Sequence, residues 1–145
     1  MKDHSKRSKE YLAKNAPKPM GAYPHARRVG DLLFLSGIGP RNPESNNVPG
    51  VTLDDKGDVI GYEIEAQCHA VFENVKTVLE SSGARWEQLV DVTVFLLDIK
   101  KDFDQFNLIY AEYFKENSPC RTTIGVTGLP SLIAIELKCI AWSPK

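Results

Sequence analysis

The alternation of apolar and charged residues near the C-terminus limits what this chain can fold into. As an extended strand, residues 132–141 place five apolar side chains on one face: Ile133, Ile135, Leu137, Cys139 and Ala141. The opposite face carries Leu132, Ala134, Glu136, Lys138 and Ile140. That second face is too apolar for water and too charged for a simple core. It suits a subunit contact or a cleft, where a desolvated carboxylate can act on a ligand.

A second strand-like segment, residues 119–126, sets one arginine, Arg121, in otherwise apolar and β-branched surroundings. Placing a charged side chain there costs free energy unless it has a partner or a role. Arg121 and Glu136 are therefore the first candidates for a functional site. The alternative is a structural ion pair that bridges neighbouring strands or subunits.

Length and composition predict one domain. The chain has 145 residues, of which 42% are hydrophobic and 26% charged, which fits a single globular domain at residues 19–145. Residues 1–18 are polar, and Pro17 ends any helix begun there, so we expect an arm that docks on the body or frays. The net charge of -1 supplies no field for a phosphate backbone, so nucleic acid is not an expected partner.

The cysteines and the apolar runs indicate the compartment. Three cysteines without a CxxC pair argue against a disulfide framework and a zinc knuckle. No apolar run approaches the ~20 residues of a membrane helix, and the N-terminus is not built as a signal sequence. We therefore expect a cytoplasmic protein with reduced thiols and no membrane contact.

The order of predicted elements indicates an α+β fold. We expect a strand buried on both faces at 29–38, a small hairpin at 51–60, a helix at 62–82 ended by Gly83, a central strand at 89–97, and a helix that begins at the N-cap Asp102. With the two C-terminal strands, this predicts a mixed sheet with both helices on one face. Oligomerisation would then bury the other face.

Familiar cofactor and nucleophile motifs are absent from the sequence. Gly37-Ile38-Gly39 is not followed by a third glycine, and no P-loop or GxSxG motif occurs. The three histidines are far apart and form no metal-ligand pair. We therefore expect no cofactor and no metal. The remaining candidates are Arg121, Glu136, Tyr23 and the segment 25–41.

Several segments together resemble the RidA (YjgF) family, in order from about residue 19 to residue 142. The segments that carry the resemblance are Gly21-Ala22-Tyr23-Pro24-His25, Gly30-Asp31-Leu32-Leu33-Phe34-Leu35-Ser36-Gly37, Glu65-Ala66-Gln67, Asn74-Val75-Lys76, Thr93-Val94-Phe95-Leu96, Tyr110-Ala111-Glu112-Tyr113-Phe114 and Pro119-Cys120-Arg121-Thr122-Thr123, with Glu136 in Ile-Glu-Leu. The resemblance implies a chorismate-mutase-like α+β fold. It also implies a homotrimer whose sheets face a central barrel, with three sites in the clefts between subunits.

The same resemblance implies hydrolysis of reactive enamines and imines, derived from amino acids, to an oxo acid and ammonia. Arg121 would bind the carboxylate of the small substrate through two parallel hydrogen bonds. Glu136 would polarise the attacking water or carry a proton to the departing nitrogen, and Tyr23 would orient the substrate. Cys120, Ser36 and Gly37 would line the site, with Cys120 as lining and not as nucleophile. Tyr23 has a plain alternative as a packing aromatic.

A narrower resemblance, to the 2-aminomuconate deaminase branch, rests on the Tyr23-Pro24-His25-x-Arg27 and Arg41-x-Pro43 segments. Aminomuconate is a conjugated enamine with two carboxylates, so we expect a second cationic contact from His25 or Arg41. The alternative is that both are solvated loop residues. Pro24 and Ile38 replace the serine and glutamine common in the family, which leaves the substrate range open.

Two other functions compete with the deaminase hypothesis. An endoribonuclease or translation inhibitor of the L-PSP type would need a basic groove, which the composition does not offer. A non-catalytic trimer that binds small carboxylates would keep Arg121 but would not need Glu136.

Overall fold

The computed structural model describes residues 8–145 and contains a mixed sheet with two helices. The strands are β1 (Ser8–Tyr11), β2 (Ala26–Val29), β3 (Leu32–Leu35), β4 (Val51–Leu53), β5 (Val59–Tyr62), β6 (Leu89–Leu96), β7 (Cys120–Gly125) and β8 (Ile135–Trp142). The helices are α1 (Ile64–Ser81) and α2 (Ile99–Tyr113), and a 3-10 turn (Trp86–Gln88) precedes β6.

Six of the strands form the main sheet, in the order β1-β2-β3-β8-β6-β7. All neighbours are antiparallel except β6 and β7, which run parallel because α2 carries the chain back to the starting edge. Strands β4 and β5 form the predicted separate hairpin. The predicted mixed sheet with two packed helices is therefore confirmed. Strand β7 is an edge strand, and this places Arg121 at the border of the sheet.

The core lies between the sheet and the helices. In β8, burial alternates, with Ile135, Leu137, Cys139 and Ala141 buried. Helix α1 packs its apolar stripe onto this face, and that stripe includes Cys68, Val71, Phe72, Val75 and Val78. The predicted faces of β8 are thus confirmed. The opposite face, which we call the open face, carries Glu136, Lys138 and Ile140, each of them partly exposed.

The segment expected to be a single strand, residues 29–38, contains the last residue of β2, a turn and the strand β3. Strand β2 ends at Val29, Gly30 turns the chain with a positive φ of 59°, and β3 begins at Leu32. Glycine adopts this left-handed conformation without the steric cost that a β-carbon brings. Leu32 is 39% exposed, so the prediction of a strand buried on both faces was wrong.

The polar N-terminal segment joins the sheet over its described part. Strand β1 pairs with β2 along its whole length, and Ala13 and Ala16 are buried in the core. The arm predicted at residues 1–18 therefore docks on the body from Ser8 onward. Residues 1–7 of that predicted arm lie outside the described part of the chain.

The predicted C-terminal end of α1 is confirmed, but the predicted start of α2 is not. Gly83 follows α1 with a φ of 80°, as expected for a glycine that ends a helix. The N-cap of helix α2 is Asp98, four residues before the predicted one, and its side chain accepts from the Lys101 amide at 3.1 Å. Asp102 is buried and accepts a hydrogen bond from the Tyr62 hydroxyl at 2.5 Å. The prediction of Asp102 as N-cap was wrong.

Neither α-helix within residues 8–145 is long and apolar enough to cross a membrane.

Candidate active site

Five of the predicted site residues line one hollow beside the sheet. Tyr23 and His25 lie just before β2, Ser36 and Gly37 follow β3, and Arg41 comes next along the chain. These residues meet because β2 and β3 form a hairpin, which brings the start of one strand beside the end of the other. Residues from the N-terminal segment close a further side: Ala16, Pro17 and Pro19. We call this space the hollow.

Glu136 lies beside Gly37, which is one of the residues that line the hollow. It projects from the open face of β8, and its carboxyl group lies against Gly37, where a β-carbon would stand 2.0 Å from Oε1. Burial raises the pKa of this half-buried carboxyl group above its ordinary value, because the ionised form loses hydration. A glutamate in this state can exchange a proton with a ligand nearer to neutral pH than an exposed one can.

Lys138 is a neighbour of Glu136 that the sequence did not single out as a site residue. It shares the open face of β8, and its Nζ donates to the backbone oxygen of Leu35. Burial lowers the pKa of this amine. The alternation of β8 placed Lys138 on the correct face, but the sequence carried no signal that its amine would bond to β3.

Arg121 is oriented by side chains of helix α2. Its guanidinium lies 4.6 Å from the ring centroid of Tyr110 and 5.4 Å from that of Phe106. Nη1 donates to Oδ1 of Asn107 at 2.8 Å. Among residues 8–145, no carboxylate lies within salt-bridge distance of Arg121. The side chain is thus an oriented, partly exposed cation whose remaining N–H groups are free to bind an acid.

Arg121 and Glu136 do not meet within one chain. Arg121 is in register with Val92 and so faces the helices, whereas Glu136 is in register with Phe95 and faces the opposite way. Strand β6 also separates the two strands that carry them. A structural ion pair between neighbouring strands of one chain is therefore excluded. The two side chains can share a site only if different copies of the chain supply them.

Cys120 does not line the hollow within the chain. It pairs with Asp91 on the open face of edge strand β7, and it is exposed. The predicted lining role would thus need a neighbouring copy. Cys68 and Cys139 are buried, and burial raises the pKa of each thiol to about 12.

His25 has a structural task that the sequence did not reveal. Its ring is buried, Nδ1 accepts from the Ala13 amide at 2.9 Å, and Nε2 donates to the Pro17 oxygen at 2.7 Å. An amide can only donate and a carbonyl can only accept, so these partners require a neutral ring. The hypothesis of a cationic ligand contact at His25 is therefore wrong for this arrangement.

Arg41 keeps its charge available at the hollow. Nη1 donates to Oδ1 of Asn46 at 2.5 Å and Nη2 donates to the Lys18 oxygen at 2.8 Å. Both acceptors are neutral, and within residues 8–145 no carboxylate pairs with this guanidinium. These bonds orient the side chain while leaving other N–H groups for a ligand.

Tyr23 and Ser36 contribute polar groups to the same hollow. The Tyr23 hydroxyl accepts from the Met20 amide at 3.0 Å, and its own hydrogen stays free to donate. The Ser36 hydroxyl donates to the Pro24 oxygen at 2.6 Å, which leaves its oxygen as an acceptor. The structure therefore offers one hydroxyl donor and one acceptor to a bound molecule.

Asn74 supports the hollow from helix α1, although the sequence analysis gave it no role of its own. Its amide nitrogen donates to the backbone oxygens of Gly39 and Arg41, at 2.9 and 2.8 Å. The available signal was an asparagine on the apolar stripe of a helix, because a buried amide needs partners. Within residues 8–145, no three His, Cys, Asp or Glu side chains group together as a metal site would require.

Comparisons with known proteins identify the family. Residues 13–143 match the family model described as Endoribonuclease L-PSP. A RutC family protein of Saccharolobus solfataricus is 40% identical over 130 residues, which are 90% of this chain and 94% of the relative. Reactive Intermediate Deaminase A of Arabidopsis thaliana, a chloroplastic protein, is 36% identical over 126 residues, 87% of this chain and 61% of the relative.

Among solved structures, that of the YjgF gene product of E. coli matches with a TM-score of 0.79 and 30% identity. The match covers 92% of this chain and 98% of that chain. The family model and the sequence relatives thus agree with the structural match. The chain belongs to the RidA (YjgF/L-PSP) family.

Proposed function

We propose that this protein hydrolyses small enamines and imines derived from amino acids, releasing ammonia and an oxo acid, without a metal or cofactor. One observation carries the proposal: a half-buried glutamate with a raised pKa lies against Gly37, and Gly37 lines the hollow together with Tyr23, Ser36 and Arg41. The relative named Reactive Intermediate Deaminase A supports a deaminase role in general.

The proposed site is formed between subunits of a homotrimer. Glu136 and the hollow belong to one copy, and Arg121 reaches them from the edge strand of the next. Two features support this assembly: the open face of the sheet is half apolar, and Arg121 has no carboxylate partner among residues 8–145. In this arrangement the guanidinium binds the substrate carboxylate through two parallel hydrogen bonds.

The proposed reaction is the addition of water to a C=N bond. An enamine first takes a proton on its β-carbon and becomes the iminium. Water then attacks the iminium carbon as Glu136 accepts a proton from it, and a carbinolamine forms. Glu136 returns that proton to the nitrogen. The C–N bond then breaks with its electron pair going to nitrogen, the hydroxyl group gives up its proton to solvent water as the C=O bond forms, and ammonia and an oxo acid are released. Since this hydrolysis is intrinsically easy, positioning and one proton carrier suffice.

The narrower proposal concerns the second end of the substrate. Arg41 lines the hollow, and among residues 8–145 its guanidinium is paired only with neutral oxygens. We propose that it binds a second carboxylate, which makes a dicarboxylate such as 2-aminomuconate a candidate substrate. His25 is left out of this role because both of its ring nitrogens are already bonded.

The principal test uses an enamine that a second enzyme generates in the assay mixture. A serine dehydratase supplies 2-aminoacrylate, and ammonia release is followed with and without this protein. We expect the protein to accelerate release, and the Glu136→Gln variant to lose most of the acceleration. No acceleration with this monocarboxylate or with 2-iminoglutarate, made by oxidising glutamate, would end the deaminase proposal.

The same two substrates test Arg41. Arg41→Gln removes the charge, and we expect about a tenfold or greater loss of kcat/KM on 2-iminoglutarate, with the rate on 2-aminoacrylate within about threefold. Asn46→Ala is the matched control, since it loosens the Arg41 side chain without removing its charge. Equal losses on both substrates would contradict the second-carboxylate role.

A second candidate function comes from the family description, Endoribonuclease L-PSP. The net charge of -1 argues against it, because RNA binding draws most of its free energy from basic residues. RNA cleavage that purifies with the protein, falls steeply with salt and disappears in Glu136→Gln would favour this alternative. A trimer that binds carboxylates without catalysis would keep its affinity in Glu136→Gln, and neither form would accelerate ammonia release above the rate without protein.

A further inference from the structure

One side of the hollow is formed by a segment that belongs to no helix or strand and so lacks their regular backbone hydrogen bonds. The segment 13–23, which we call the wall, lies between β1 and β2 and forms only turns and bends. It nevertheless supplies four of the lining residues: Ala16, Pro17, Pro19 and Tyr23. A segment without sheet or helix bonds keeps its position only if side chains satisfy and hold its backbone groups.

The ring of His25 provides two such bonds, one near the start of the wall and one further along. Nδ1 accepts from the Ala13 amide at 2.9 Å, and Nε2 donates to the Pro17 oxygen at 2.7 Å. The ring is buried, with 8% of the residue exposed, so water competes weakly for either bond. One imidazole therefore connects two points of the wall that are four residues apart.

His25 is itself fixed to the sheet. Its backbone amide donates to the Tyr11 oxygen at 3.0 Å, at the end of β1. Its backbone oxygen accepts from the Ser36 amide at 2.9 Å, just beyond β3. The ring thus projects from a backbone that is bonded on both sides, and it can hold the wall in a definite position beside Ser36 and Gly37.

We infer that His25 is a positioning residue, whose neutral ring holds the wall against the hollow and so sets how tightly the hollow binds its substrate. The effect of His25 on substrate affinity rests on the proposed function, whereas its role in fixing the position of the wall does not. His25 touches no reacting atom in this account. It acts through Ala13 and Pro17, and its loss raises KM more than it lowers kcat.

The test replaces the ring's nitrogens but keeps its bulk. In His25→Phe, we expect the Ala13 amide to exchange with deuterium at least about tenfold faster, because its acceptor is gone. We expect KM for 2-aminoacrylate to rise about tenfold and kcat to stay within about threefold. His69→Phe is the matched control, since His69 bonds to the Tyr113 hydroxyl on the helices, outside the hollow; it should change neither quantity.

A second measurement avoids variants altogether. In the native protein at neutral pH, nitrogen NMR of His25 should show hydrogen on Nε2 and none on Nδ1. Hydrogen on Nδ1, or a charged ring, would overturn the inference even if His25→Phe failed to fold. Faster Ala13 exchange in His25→Phe with an unchanged KM would also overturn it, because the wall would then have no part in binding.

The outcomes separate this inference from the proposed function. If the native protein accelerates no imine hydrolysis, the deaminase proposal fails. The affinity of the hollow for propanoate, measured by calorimetry, then replaces KM: a tenfold loss in His25→Phe supports the positioning role, and no loss contradicts it.

Discussion

The carboxyl group of Glu136 occupies the space that a side chain at residue 37 would need. A β-carbon built on Gly37 would stand 2.0 Å from Oε1 and 3.1 Å from the carboxyl carbon of Glu136. The first distance is far below ordinary van der Waals contact, and the second is a few tenths of an ångström below it. The absence of a side chain at residue 37 therefore allows the glutamate to lie against the end of β3.

Gly37→Ala should lower the catalytic activity strongly while changing the free energy of unfolding little. The atoms in the way are at the far end of a flexible side chain, so the glutamate can swing aside at a cost of about 1 kcal/mol or less in unfolding free energy. The displaced carboxyl group would no longer meet the substrate, and we expect kcat/KM to fall about 10- to 100-fold. Gly61→Ala is the control, since its β-carbon meets nothing within 4 Å. An active Gly37→Ala would contradict the placement of Glu136.

Glu136→Gln should reduce the rate by about 10² to 10⁴ and remove a pH dependence. In the native protein the rate should rise with pH through the raised pKa of Glu136, since the ionised form accepts the proton from water. The variant should lack this limb of the pH profile. A variant that retains both rate and profile would exclude Glu136 as the proton carrier.

The same substitution has a consequence for stability. Because folding raises the pKa of Glu136, its contribution is fully present below the unfolded-state pKa and is lost as the pH rises through the folded-state pKa. The free energy of unfolding of the native protein, relative to Glu136→Gln, should therefore fall as the pH rises from about 4 towards 7. Urea unfolding of both proteins at several pH values measures this. A native protein that becomes more stable relative to Glu136→Gln as the pH rises would contradict it.

Arg121→Lys should lose most of the binding although it keeps the charge. Lysine cannot form two parallel hydrogen bonds with a carboxylate, and it cannot stack on Tyr110 in the same way. We expect transition-state stabilisation to fall by about 2 to 4 kcal/mol. Arg85→Lys, an exposed position before the 3-10 turn, is the matched control. Full activity in Arg121→Lys would mean that a positive charge at residue 121 is sufficient and that the two parallel hydrogen bonds are not needed.

Mixing two inactive variants tests whether two copies build each site. When Glu136→Gln and Arg121→Ala chains are unfolded and refolded together, some sites receive an intact glutamate from one chain and an intact arginine from the other. Random assembly should restore about a quarter of the native activity. Ultracentrifugation of the native protein should give three chains per particle. A site complete within one chain would show no recovery on mixing.

Replacing each of the two aspartates at the start of α2 by alanine should destabilise the protein by a different amount. Asp98→Ala removes the cap on the Lys101 amide and should destabilise the protein by about 1 kcal/mol. Asp102→Ala leaves the Tyr62 hydroxyl without its acceptor, and we expect about 1 to 3 kcal/mol. Asp104→Ala, on the exposed side of α2, should have little effect. Thermal unfolding ranks the three, and an equal cost for Asp104 would contradict both roles.

The features that the sequence predicted correctly depend on short-range patterns. The period of two in β8 separates Leu137 from Glu136 wherever the strand is placed. The stripe of α1 and the left-handed Gly83 likewise follow from residues that are near in sequence. Five of the candidate site residues met in one hollow because they flank the two strands of a single hairpin.

The errors concern features that tertiary contacts decide. Val29 and Leu32 are both apolar and flank Gly30-Asp31, so the pattern predicted one strand although this glycine and aspartate form a turn. Asp98 and Asp102 are both suitable N-cap residues, but Asp98 accepts from the Lys101 amide whereas Asp102 accepts from the Tyr62 hydroxyl. The face of Arg121 depends on the register of β7 against β6, which no local pattern encodes. The partners of His25 come from a segment 8 to 12 residues away, and its ring alone could not identify them.

The unequal burial of the three thiols leaves one sulfur open to a reagent. Cys68 and Cys139 are enclosed and stay protonated, whereas Cys120 is exposed on the border strand, one residue from Arg121. A maleimide dye should therefore couple at a single position in each folded chain. The protein thus provides a spectroscopic reporter beside the arginine without any added cysteine, and slower coupling at high protein concentration would show that copies cover this edge.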